Sequence, residues 1–92
     1  MSGGRVWRVE FLADAARDLR KLGAEAERLI LRYLRQRIAV ADDPRRFGRP
    51  LTGDLKGFWR YRVGDYRIVA SIEDNRFIVL VVTVGHRRDV YD

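Results

Sequence analysis

The sequence predicts an α+β layer fold: an N-terminal strand, a two-helix antiparallel hairpin, then a three-stranded antiparallel meander, with the helices packed on one face of the sheet. Three observations predict it. Apolar and polar residues alternate over Val6–Leu12 and then switch to helical spacing. Gly23 leaves almost no linker between two helical stretches. Beyond residue 57 the alternation returns in three segments divided by turn residues.

In the first segment Trp7, Val9 and Phe11 share one parity, and Val6, Arg8 and Glu10 the other. Over 13–22 the helical stripe is Leu12, Ala15, Ala16, Leu19 and Leu22, stopped by Gly23. A second helix is expected from about Ala24 to Ala41. Its stripe is Ala26, Leu29, Ile30, Tyr33, Leu34, Ile38 and Ala41, with Arg28, Arg32 and Arg35 on a solvated face. Pro44 ends it by disfavouring helical geometry at Asp43. Residues 45–55 read as an irregular basic loop. Strands follow at Phe58–Val63 and Tyr66–Ile72, joined by a Gly64-Asp65 turn with glycine first, as a type II′ hairpin requires. After Asp74-Asn75, the apolar run Phe77–Val84 has the composition of a strand buried on both faces. The two helices carry the chain across one face, so the first strand can pair beside the last.

Ninety-two residues make one domain, 1–92, with residues 1–4 a flexible leader. With no cysteine, neither a disulfide scaffold nor a thiolate metal site is available, and a single histidine rules out a multi-histidine site. No cofactor or metal is expected. The absence of a signal-type or membrane-spanning apolar segment predicts a cytoplasmic protein with no membrane partner.

The charge is +6 and strongly local. Residues 45–67 carry seven basic side chains (Arg45, Arg46, Arg49, Lys56, Arg60, Arg62, Arg67) against Asp54 and Asp65, which is +5 of the total. Strand parity groups Lys56, Arg60 and Arg62 on one face, with Arg67 on the neighbouring strand. Such a cluster suits phosphate, because guanidinium forks match phosphate oxygens and each contact releases counterions. Phe58, Trp59 and Tyr61 interleave it and could stack on bases or pack in the core. Beyond the last strand, Gly85-His86-Arg87-Arg88-Asp89-Val90-Tyr91 adds two cations, the one imidazole and a penultimate tyrosine. His86 supplies the one side-chain type whose ordinary pKa lies near neutrality, and arginines around Tyr91 would favour its phenolate.

The stretch Pro50-Leu-Thr-Gly-Asp-Leu-Lys-Gly-Phe-Trp-Arg-Tyr-Arg-Val-Gly-Asp-Tyr-Arg-Ile68, followed by Val84-Gly-His-Arg-Arg-Asp-Val-Tyr91, resembles the RelE/ParE superfamily of toxin–antitoxin toxins. With Leu19-Arg-Lys-Leu22 upstream, the resemblance covers roughly residues 6–91. The tyrosine-ended terminus points to the RelE branch. The resemblance implies a ribosome-dependent, metal-independent endoribonuclease (an mRNA interferase) in which the ribose 2′-OH attacks the adjacent phosphate. It implies that Arg67 stabilises the transition state, Arg87 assists the leaving group, and Tyr91 orients substrate or shares in proton transfer. Lys56, Arg60, Arg62 and Arg88 would bind substrate. Arg60 and Arg62 stand where RelE proteins often carry lysines, and arginine does not give up its proton. The general base is then Lys56, His86 or Tyr91. Implied partners are a cognate antitoxin, the ribosome and mRNA, with the toxin–antitoxin complex a higher oligomer. Two alternatives stand beside this one: the resemblance to the superfamily also allows a ParE-like inhibitor of DNA gyrase, and the charge also fits a non-catalytic nucleic-acid-binding module.

Overall fold

A computed structural model describes residues 6–88. The chain forms β1 (Arg8–Phe11), α1 (Ala13–Lys21), α2 (Ala24–Tyr33), β2 (Arg49–Pro50), β3 (Trp59–Val63), β4 (Tyr66–Glu73) and β5 (Ile78–His86). The five strands make one sheet in the order β1-β5-β4-β3-β2. β1 lies parallel to β5, and the other neighbours are antiparallel. Both helices cover one face. Ala15 and Leu19 of α1 and Ile30 of α2 are buried there with Trp7, Tyr61, Val63, Ile68, Ala70, Val79, Val81 and Val84. The expected layer fold is the one observed.

Local chemistry explains the element ends. Asp14 in the first turn of α1 and Arg20 and Lys21 in its last oppose the helix dipole favourably. Gly23, at φ +101°, reverses the chain in a conformation closed to other residues. Gly64 has φ +60° while Asp65 keeps a negative φ, the expected type II′ pattern.

Four boundaries differ from expectation. The first strand is shorter, Arg8–Phe11. α2 stops at Tyr33, and a π-helical turn, Leu34–Ile38, replaces the rest of the expected helix. The wider turn keeps both Leu34 and Ile38 buried, and Ala39 N–H donates to Leu34 O at 2.8 Å. The supposed irregular loop holds two 3₁₀ turns, Pro44–Phe47 and Gly53–Leu55, and the two-residue edge strand β2 between them. Its Pro50 blunts that edge of the sheet.

The fourth difference matters most. β5 continues past Val84 to His86, and its register against β4 slips between Val69 and Ala70. Val69 faces Thr83 and Ala70 faces Val81, so Val82 is an extra, bulged residue. Before the bulge Val79 and Val81 face the helices; after it Val84 does. The bulge therefore exchanges the two faces for everything that follows, turning Gly85 to the open side of the sheet and His86 to the helix side.

Candidate nucleic-acid interface

The open face of the sheet is built from the residues that alternate with the core. Arg62 lies directly opposite Arg67, and Arg67 directly opposite Gly85. In the next row Arg49 opposes Arg60, Arg60 opposes Val69, and Val69 opposes Thr83. Residues directly opposite share a face at about 4.5–5.5 Å between Cα atoms. Four arginines thus occupy two adjacent rows at one end of the sheet. Like charges placed opposite one another are unfavourable, and an anion lying across both rows offsets that cost.

Arg67 is the buried charge of the group, 5% exposed. Its Nη1 donates to the carbonyl oxygens of Tyr66 (3.2 Å) and Gly64 (3.4 Å) at the hairpin that begins β4. Gly85, without a side chain, stands beside it across the ladder. A guanidinium held this way meets a developing negative charge with little reorganisation. The same face carries a small apolar cluster of Leu51 and Val69, packed against Leu55, Phe58 and Val82, and Val69 joins it to the second arginine row.

Other expected members are distributed differently. Lys56 is exposed on the connection that precedes β3. Arg87 and Arg88 are exposed and follow β5 in a turn. Arg87 N–H donates to Asp65 O at 2.7 Å, and its Nη1 lies 3.9 Å from Asp65 Oδ1, which holds the turn beside the β3–β4 hairpin. His86 faces the helix side, directly opposite Tyr66, with the two rings edge-on at 6.0 Å. The sheet separates its imidazole from Arg60, Arg62 and Arg67. Tyr91 lies outside the described residues.

Two expectations about the basic stretch change. Arg45 is engaged by acids: it donates to Asp74 Oδ2 at 2.6 Å, Asp74 Oδ1 at 3.1 Å and Asp43 Oδ1 at 3.1 Å, and sits over the Trp59 ring at 5.9 Å. The hydrogen bond to Asp74 raises the arginine's pKa further and lowers that of the aspartate. Among the aromatics, Tyr61 is fully buried and donates its hydroxyl to Pro44 O at 2.8 Å. Burial pushes its phenol far above the usual tyrosine value, so it neither stacks on bases nor gives up a proton. Trp59 shares its parity, which leaves Phe58 as the aromatic on the arginine face.

Sequence reasoning counted Arg49 in the basic stretch but left it in a loop, whereas it lies on β2 opposite Arg60. Its signal was Pro50, which marks a strand edge as readily as a loop. Among the described residues no three His, Cys, Asp or Glu side chains cluster as metal ligands would. No helix among them is long and apolar enough to cross a membrane.

Residues 9–91 match the family model described as the ParE toxin of type II toxin–antitoxin system, parDE. Two curated proteins of Mycobacterium tuberculosis are similar. Toxin RelE is 32% identical over 99% of this chain and 92% of its own length, and Toxin RelG is 34% identical over 90% and 93%. Among solved structures, the toxin–antitoxin complex RelBE2 of M. tuberculosis superposes with a TM-score of 0.83 at 29% identity, over 97% of this chain and 100% of the other. The archaeal RelE–RelB complex of Pyrococcus horikoshii gives 0.68 at 25%, over 92% and 99%. With a family model spanning nearly its whole length and two relatives above 30% identity, the chain belongs to the RelE/ParE superfamily of toxins from type II toxin–antitoxin systems.

Proposed function

We propose that this toxin is a ribosome-dependent endoribonuclease that cuts mRNA by 2′-OH attack, and that a cognate antitoxin restrains it. The observation that carries the reading is the double arginine row with buried Arg67 at its centre. It is a surface for a phosphate whose charge rises during reaction. The named relatives RelE and RelG, and the RelBE complexes, support the family-level activity and the antitoxin partner.

In the reaction the 2′-oxygen bonds to phosphorus and the bond from phosphorus to the 5′-oxygen breaks. A 2′,3′-cyclic phosphate and a free 5′-OH result. A base takes the 2′ proton and an acid returns one to the leaving oxygen. Arg67 stabilises the crowded phosphorane, and Arg60 and Arg62 grip the flanking phosphates with Arg49 at the rim. Arg87 and Arg88, on the turn beside Asp65, face the leaving group. Since His86 sits behind the sheet, this reading gives the base to Tyr91 or Lys56.

The family model is named for ParE, so inhibition of DNA gyrase is the second reading. Induced expression separates the two. The nuclease reading expects translation to stop within minutes while plasmid supercoiling is unchanged. Loss of supercoiling before any loss of protein synthesis contradicts it.

A further inference from the structure

Three observations on the end of β5 converge on the imidazole. His86 Nδ1 accepts the backbone N–H of Arg88 at 3.3 Å. Its ring is fixed edge-on against Tyr66, in a groove of α1 and β5 residues that includes Asp18, Lys21, Leu22 and Thr83. The turn it holds is the one that carries Arg87 and Arg88, pinned at its other attachment by Arg87 N–H on Asp65 O.

Only an unprotonated Nδ1 can accept, so this bond requires the neutral imidazole with its proton on Nε2. We infer that His86 is a positioning residue: its neutral ring holds the Arg87–Arg88 turn at the end of the arginine face by accepting the Arg88 amide. The role rests on the nuclease reading above. The bulge at Val82 is what makes it possible, since it turns the ring away from the substrate side and toward its own following turn.

Protonation places a second N–H on the ring and removes the acceptor, which frees the turn at one of its two anchors. The charged and titratable groups around the ring are Asp18 and Lys21 from α1, Tyr66 from β4, and Arg88 itself. Activity therefore falls with pH through lost geometry. A general base also weakens on protonation, so the acid limb alone does not separate the two roles, and substitution does.

Asparagine sets its Oδ1 close to where Nδ1 stands, whereas glutamine reaches toward Nε2 and alanine offers no acceptor. On ribosomes programmed with a defined mRNA, His86→Asn is expected to cleave within about three-fold of wild type, with a flattened acid limb. His86→Ala and His86→Gln are expected to lose about 10–100-fold in kcat, the size of effect that a misplaced reacting group produces. If His86→Asn falls as far as His86→Ala, the imidazole itself moves a proton and the inference is overturned. Equal activity in all three variants overturns it as well.

A second measurement does not depend on cleavage. The ¹⁵N shifts of the His86 ring in the isolated chain are expected to report the Nε2–H tautomer at neutral pH, and an Nδ1–H ring contradicts the hydrogen bond. If the ring is the Nε2–H tautomer and wild-type protein still leaves mRNA whole on ribosomes, the nuclease reading fails and the positioning role fails with it, while the turn's hydrogen bond stands.

Discussion

At the scale of single residues, what distinguishes one arginine from another here is its neighbour. Arg45 and Arg67 lie within the same basic stretch, yet Arg45 is committed to Asp43 and Asp74 while Arg67 is buried among the arginines of the open face. The Arg45–Asp74 pair ties the Pro44–Phe47 turn to the Asp74–Arg76 turn, two segments 29 residues apart. Because Arg45 lowers the Asp74 pKa, this link stabilises the fold above the ordinary aspartate pKa of about 3.9 and is lost as pH falls below it. Thermal melts of wild type and Arg45→Ala are thus expected to differ at pH 6 and to converge toward pH 2–3. A gap that persists unchanged in acid would mean that Arg45 acts through its Trp59 contact instead.

At the scale of elements, the sequence was legible wherever a local pattern has one structural solution. Gly23 and Gly64 announced their turns because each needs a positive φ, and the period-2 segments gave β3 and β4 nearly to the residue. Gly64→Ala is accordingly expected to cost about 1 kcal/mol, read from denaturant unfolding, because alanine resists that φ. An unchanged midpoint would show that the hairpin relaxes to another turn type. Where two solutions share one pattern, legibility ended. A uniform run such as Ile78–Val84 contains no mark for an extra residue, since valine suits either face of a central strand. The bulge at Val82 was therefore silent, and with it the separation of His86 from the arginine face. The π-helical turn was equally hidden, because Leu34 and Ile38 fit an α-helical stripe as well as they fit the wider one. Phe77 is a third case. It takes the left-handed conformation at φ 52° with its ring against Trp7 at 5.2 Å, so a tertiary contact accompanies a turn that glycine would normally make.

At the scale of the whole molecule, the basic excess divides between two sides of the sheet. Arg28, Arg32 and Arg35 are exposed on the helix side, whereas Arg49, Arg60, Arg62 and Arg67 lie together on the open side. Counterion release discriminates between them. Each phosphate contact on a single strand contributes about −0.7 to the slope of log K against log salt. Titration of a short single-stranded RNA is expected to show that Arg62→Ala reduces the slope by about that amount, while Arg28→Ala leaves it unchanged. The reverse result would move the RNA to the helices. The fold class and the basic face were readable because both follow from strand parity.

The central claim is that the arginine face performs phosphodiester cleavage on the ribosome, and primer extension on a reporter mRNA tests it most directly. Wild-type toxin is expected to give codon-periodic cuts ending in a 2′,3′-cyclic phosphate. Arg67→Ala is expected to reduce them by about 10²–10³-fold, as removal of a transition-state donor does. Intact mRNA with the wild-type toxin, or cuts of undiminished strength with Arg67→Ala, would contradict the account.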